Sequence, residues 1–138
     1  MNSSQQALPS DATAPPHVHV AVVGSGPAGF YAADALLRSD EIVAHVDMFD
    51  RLPTPFGLVR GGVAPDHQSI KRVTRVYDRT AVSDRFQFFG NVHVGQNLSA
   101  DDLRDAYDSV IYAVGAETGR DLHVPGRGAF GHTPAAVF

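Results

Sequence analysis

The sequence predicts an α/β fold built on a doubly wound parallel sheet. Three observations lead to this prediction: apolar strand-like segments alternate with helical ones, a glycine-spaced turn joins the first strand to the first helix, and an acidic residue ends the second strand. Strands that alternate with helices are typical of parallel sheets, because the chain must cross over between each pair of parallel strands.

The first strand and helix enclose a glycine-rich turn. The apolar run Val18–Val23 precedes the turn, and the helical segment Phe30–Leu37 follows it. The first glycine suits the tight turn, the second allows the backbone to approach phosphates, and the third allows close packing of helix on strand. The free N–H groups of the helix start attract a diphosphate. We therefore predict a Rossmann-like dinucleotide site at Gly24, Ser25, Gly26, Pro27, Ala28 and Gly29.

The second predicted strand, Glu41–Phe49, ends at Asp50, which lies 21 residues after Gly29. An acidic residue about 20 positions beyond the glycine turn accepts a hydrogen bond from a ribose hydroxyl in such sites. A solvated strand end is the alternative interpretation of Asp50 alone. Strand, turn, helix, strand and acid in this order favour the nucleotide site.

The remaining segments continue the pattern. Three prolines and three glycines in Arg51–Pro65 predict a structured loop, and Ser99 with Asp102 predicts a capping box. The predicted elements are a helix over Asp66–Ser83, a strand over Phe86–Val94 that is open to a break at Gly90-Asn91, a short helix over Ala100–Tyr107 and a buried strand over Ser109–Val114.

A second G-x-G-x-x-G match, Gly126–Gly131, lacks this context. It follows Val124-Pro125 instead of a long strand, and no apolar helix comes after it. We therefore interpret it as a loop, and it supplies no second dinucleotide site.

Composition limits the classes of function. The 138 residues carry a net charge of −4 with no basic run, which argues against nucleic acid as a partner, and no apolar stretch approaches the roughly 18 residues of a membrane span. The chain has no cysteine, so electron chemistry would have to come from a bound cofactor. Residues 1–16 resemble neither a secretory signal nor a transit peptide. We expect a disordered leader and a cytoplasmic protein.

Three blocks of the sequence resemble the adrenodoxin-reductase-like ferredoxin–NADP reductases, over about 105 residues from Val22 to Gly126. The first is VVGSGPAGFYAADALL at 22–37. The second, LPTPFGLVRGGVAPDHQSIKRV at 52–73, is similar to a block typical of that family. The third is FFGNVHVG at 88–95, followed by YAVGA at 112–116.

The resemblance implies FAD as the cofactor of the glycine turn, with Asp50 at the ribose of the adenosine half. It implies that Leu58 contacts the flavin and that Val94 lies beside the adenine. Arg60 and His67 belong to the block that approaches the isoalloxazine. Arg60 could instead pair with a phosphate or an acidic partner, or be a solvated charge. His67 could carry protons near the flavin or simply be a surface or capping group.

The other six histidines show no metal-ligand spacing, and we predict no metal site. The family pattern usually has glutamate where Asp50 stands and a larger residue where Gly61 stands. Residues 17–116 are predicted to form the N-terminal part of an FAD-binding domain, and 117–138 to begin the connection to an NADP domain that is absent here. The predicted fold is thus incomplete relative to a full two-dinucleotide flavoprotein.

The resemblance predicts a function in electron transfer between NADPH, FAD and a ferredoxin-like iron–sulfur protein, without a firmly assigned catalytic residue. Two alternatives remain open at this stage. One is a non-catalytic FAD-binding module or an inactive gene fragment. The other is a different two-dinucleotide flavoprotein: a disulfide reductase, against which the missing cysteine pair argues, or a relative of the glutamate-synthase small subunit.

Overall fold

Four parallel strands form one sheet in the order β3-β2-β1-β4. The computed structural model describes residues 14–61, 74–116, 125–126 and 128–131. The strands within these residues are β1 His17–Val23, β2 Val43–Phe49, β3 Phe86–Phe89 and β4 Ser109–Tyr112. The predicted α/β class with a doubly wound parallel sheet is confirmed.

The chain winds in two directions from the central strand β1. It moves outward through β2 to β3 and then returns to place β4 on the other side of β1. The register pairs Val20 with Val46 on one side and Val22 with Ile111 on the other. The strand order therefore reverses between β1 and β4, and ligands of such sheets bind at the carboxyl ends of strands beside this reversal.

Within the described residues, four helices accompany the sheet: α1 Pro27–Leu37, α2 Leu58–Gly61, α3 Thr74–Ala81 and α4 Ala100–Ala106. Pro27 stands at the start of α1, where its fixed φ suits a helix and its missing N–H costs no bond. The predicted capping box begins α4: Ser99 Oγ accepts from the Asp102 N–H at 3.0 Å, and Asp102 Oδ2 accepts from the Ser99 N–H at 2.9 Å.

Apolar side chains cover both faces of the sheet, as expected for parallel strands. On one face α1 and α3 pack over Val22 and Met48, with Phe30 and Tyr77 at the centre of the cluster. On the other face Leu103 of α4 packs in a smaller cluster with Ala21, Val23 and Phe49. Alternate residues of β1 thus face opposite layers.

Several predicted boundaries differ from the structure. The loop prediction for Arg51–Pro65 was wrong at α2, where i to i+3 bonds from the Val59 and Arg60 N–H groups form one helical turn. Strand β3 ends at Phe89 because Asn91, with φ 58°, turns the chain at the predicted break. Strand β2 begins at Val43, two residues later than predicted.

The other boundaries are close to the predictions. Strand β4 ends two residues before the predicted end, and α4 ends one residue early. The predicted helix Asp66–Ser83 is present as α3 over its described part, while residues 66–73 lie outside the described residues. Within the described parts of the chain, no helix combines the length and the apolar character that a membrane crossing requires.

Candidate functional site

The glycine turn lies at the carboxyl end of β1, beside the reversal of strand order. Gly24 has φ +107°, a conformation that L side chains rarely adopt, and its N–H donates to the Phe49 carbonyl at 2.8 Å. A Cβ at position 24 would overlap the Ala113 carbonyl oxygen beyond β4. The turn is therefore held tightly between the ends of β2 and β4.

The fold requires glycine at position 29 but not at position 26. A Cβ at Gly29 would overlap the Gly24 carbonyl oxygen, so glycine allows α1 to pack against the turn, as predicted. A Cβ at Gly26 would meet nothing within 4 Å, and Gly26 has φ −76°, which any residue adopts. The protein itself therefore leaves open space above Gly26, on the side where a ligand could approach the backbone.

The start of α1 faces this space without a side-chain cap. The N-cap residue Gly26 offers no side-chain bond, and the first turn of α1 contains no acidic residue. Pro27 and Ala28 in that turn are exposed. Since the first N–H groups of a helix have no partner within it, this end carries a partial positive charge suited to a phosphate.

Asp50 lies directly against the glycine turn. Its Oδ2 accepts from the Ser25 N–H at 2.7 Å and from the Ser25 hydroxyl at 2.5 Å, and its Oδ1 accepts from the Leu52 N–H at 2.9 Å. Ser25 is fully buried, and its carbonyl accepts from the Phe56 N–H at 3.0 Å. The acidic residue thus connects the glycine turn with the loop that follows β2.

A cleft opens beside Asp50 at the carboxyl ends of the strands. It brings together three predicted site residues, Gly24, Asp50 and Val94, which are distant in the sequence. The other residues that line it are Val23, Phe49, Arg51, Val92, His93 and Val114. Sequence reasoning did not assign these to the site. Most of these residues lie at or just after the end of a predicted strand, and strand ends meet at one edge of a parallel sheet. This position was the sequence signal that could have assigned them to the site.

The residues predicted beside the flavin ring do not line this cleft. Leu58 begins α2 and is 70% exposed. The Arg60 guanidinium lies 5.1 Å from the centre of the Phe56 ring, a cation–π contact, and the side chain is exposed. His67 lies outside the described residues, so its predicted role stays a prediction.

The second glycine match and the histidines give no further site. The described residues of Gly126–Gly131 form turns, and Gly126, Gly128 and Gly131 all have φ near +90°, so the loop prediction holds there. His19 and His45 stack across β1 and β2 with ring centres 5.1 Å apart. Among the described residues, no group of three or more histidine, aspartate or glutamate side chains could hold a metal ion.

Known proteins with similar sequences contain the same kind of domain. A family model described as an NAD(P)-binding Rossmann-like domain matches residues 22–89, which span the glycine turn and Asp50. NADPH-ferredoxin reductase FprA of Mycobacterium leprae is 50% identical over 129 residues, which cover 90% of this chain and 28% of that protein. The mitochondrial NADPH:adrenodoxin oxidoreductase of Arabidopsis thaliana is 52% identical over 121 residues, or 88% of this chain and 25% of that protein. The chain is therefore similar in sequence to these NADPH reductases.

A solved structure agrees with the relatives. FprA of Mycobacterium tuberculosis in complex with NADPH matches with a TM-score of 0.73 and 48% identity, over 80% of this chain and 25% of the other. The resemblance to adrenodoxin-reductase-like ferredoxin–NADP reductases is thereby confirmed. The chain spans about a quarter of the length of the reductases that it matches.

Proposed function

We propose that this chain holds FAD as the N-terminal part of a ferredoxin–NADP reductase, which transfers electrons between NADPH, FAD and a ferredoxin-like iron–sulfur protein. The glycine turn carries the proposal: it is open above Gly26, it lies at the reversal of strand order, and Asp50 is hydrogen-bonded to it. Relatives at 50% and 52% identity whose names describe NADPH reductases support the electron-transfer function.

The carboxylate of Asp50 favours FAD over NADP at this turn. The adenosine ribose of FAD has free hydroxyls, which can donate hydrogen bonds to a carboxylate. The 2′-phosphate of NADP is negatively charged, so the carboxylate would repel it. Within the described residues, Asp50 Oδ1 accepts one hydrogen bond, from the Leu52 N–H. A carboxylate oxygen has two lone pairs, so Oδ1 retains capacity for a ribose hydroxyl. In this proposal the NADP site belongs to a part of the protein beyond this chain.

The protein's contribution would be binding and orientation. The N–H groups of Gly26, Ala28 and Gly29 at the start of α1 would hold the pyrophosphate, and Val94 would contact the adenine in the cleft. Leu58 and Arg60 lie on α2 toward the flavin side, and His67 is the proposed proton carrier there. Bound FAD would supply the redox chemistry, accepting a hydride and releasing electrons singly.

Other proposals remain distinguishable from this one. A non-catalytic FAD-binding module would hold flavin but show no dye reduction by NADPH in the full-length protein. The relatives' names favour a reductase over a glutamate-synthase-like protein. The cytoplasmic setting stays a prediction, since one relative is named as mitochondrial.

Two glycine variants test the site. Gly26→Val should abolish FAD binding, because the side chain enters the open space above the turn. It should lower the unfolding free energy by no more than about 1 kcal/mol, the typical cost of a poor N-cap residue. Fluorescence titration with FAD and urea denaturation measure the two quantities.

Gly29→Ala provides the matched comparison. Its Cβ would overlap backbone in the protein itself, so the unfolding free energy should fall by roughly 2–4 kcal/mol. A Gly26→Val protein that bound FAD with unchanged affinity would contradict the proposed site.

A further inference from the structure

Ser25 contacts Asp50, the acidic side chain of the site. It is the only buried residue of the glycine turn with a side-chain donor, and both its N–H and its hydroxyl donate to Asp50 Oδ2, at 2.7 and 2.5 Å. These two bonds occupy both lone pairs of Oδ2. The oxygen is therefore fixed against the turn and unavailable to a ligand.

The other carboxylate oxygen is held in a different way. Oδ1 accepts a single bond, from the Leu52 N–H at 2.9 Å, and Asp50 lines the cleft at the strand ends. Rotation of the carboxylate would require Oδ2 to leave both Ser25 donors, one of them a hydroxyl with no exposure to water. A buried donor without an acceptor is costly, so the Ser25 hydroxyl helps to hold the plane of the carboxylate.

The carboxylate is also supported through the backbone on both sides. The Asp50 N–H donates to the Phe89 carbonyl at 3.0 Å, and the Asp50 carbonyl accepts from the Val92 N–H at 2.9 Å. The main chain of Asp50 is thus fixed by β3 and its extension. The side-chain rotation is held by Ser25 together with the Leu52 N–H.

We infer that Ser25 is a positioning residue: its hydroxyl orients Asp50 so that Oδ1 alone reads the ribose hydroxyls of the bound adenosine diphosphate. This inference rests on the proposed function. It assigns to Ser25 the discrimination between ribose and deoxyribose ligands, beyond any contribution to the stability of the turn.

The test compares ADP with 2′,3′-dideoxy-ADP in calorimetric titrations of the full chain. We expect the unchanged protein to bind ADP roughly ten-fold more tightly or better, because a hydrogen bond to a carboxylate is lost with the hydroxyls. Ser25→Ala should reduce this ratio to about two or less, because the carboxylate loses the hydroxyl bond that fixes its plane. If Ser25 had a purely structural role, its substitution would weaken the binding of both ligands equally and leave the ratio of affinities unchanged.

Ser99→Ala is the matched control. Ser99 also donates its hydroxyl to a carboxylate, that of Asp102, at 2.6 Å, but at the start of α4. The Ser99→Ala variant should lower the unfolding free energy and preserve the ratio of ADP to 2′,3′-dideoxy-ADP affinity. If Ser25→Ala does not fold, Ser25→Cys tests the same contact, since a thiol is a weaker donor than a hydroxyl; its ratio should also fall.

Each outcome is decisive. A ratio that Ser25→Ala preserves, or a ratio near one in the unchanged protein that still binds ADP, would overturn the inference and leave the dinucleotide site intact. Absence of ADP binding in the unchanged protein would contradict the proposed function, and the inference with it.

Discussion

At the scale of single residues, Asp50 combines a binding role with a structural one. Sequence spacing predicted only the ribose contact. In the structure its carboxylate accepts from two residues, Ser25 of the glycine turn and Leu52 of the following loop. Spacing along the chain could not reveal this, since the Ser25 contact depends on β1 and β2 ending side by side.

Asp50→Ala should therefore weaken FAD binding and also lower the unfolding free energy by roughly 1–3 kcal/mol, because the buried Ser25 hydroxyl loses its acceptor. Urea denaturation and flavin titration measure the two effects. Asp105→Ala, at an exposed aspartate of α4, is the control and should change stability by less than about 0.5 kcal/mol. Unchanged stability of Asp50→Ala would show that the carboxylate does not hold the turn.

At the scale of elements, two phenols, one buried and one half-buried, join helices to the sheet in different ways. Tyr107, just after α4, donates its hydroxyl to Asp47 of β2 at 2.7 Å; burial, together with Asp47, raises the pKa of Tyr107 to about 12. Tyr77 of α3 packs on Phe30 with ring centres 4.7 Å apart. Burial, and then Tyr31, raises the pKa of Tyr77 to about 12, but its hydroxyl has no hydrogen-bond partner in the described structure.

The same substitution should have opposite effects at the two sites. Tyr107→Phe should lower the unfolding free energy by about 1–2 kcal/mol, because a bond to a carboxylate is lost. Tyr77→Phe should raise it by about 0.5–1 kcal/mol, because an unpaired buried hydroxyl is removed while the ring packing remains. Thermal and urea denaturation of both variants check the signs. A Tyr77→Phe protein that was less stable would show that the hydroxyl is paired.

The elements themselves were predictable where local chemistry fixes them. The Ser99–Asp102 capping box and the proline at the start of α1 set helix starts within a few residues, and the structure has both. Helix α2 was not predictable in this way. Four residues give no periodicity, and the turn that forms it follows Phe56, whose φ of 88° depends on burial against Phe30.

At the scale of the whole molecule, the sheet order explains why the site lies where it does. Alternating strands and helices predicted the parallel sheet, and the glycine turn predicted the ligand position. The full cleft was not predictable, because Val92 and Val114 reach it only through the pairing of β3 with β2 and of β4 with β1. Such pairings depend on contacts between residues that are far apart in the sequence.

The most direct test of the dinucleotide site is an NMR titration of the isotopically labelled chain with ADP, the half of FAD that the described cleft would hold. We predict the largest changes in amide shifts at Gly24 to Phe30, at Asp50 and Leu52, and at Val92 to Val94, where the turn, the acid and the cleft meet. Changes confined to other parts of the chain, or none at saturating ADP, would contradict the proposal that this glycine turn binds a dinucleotide.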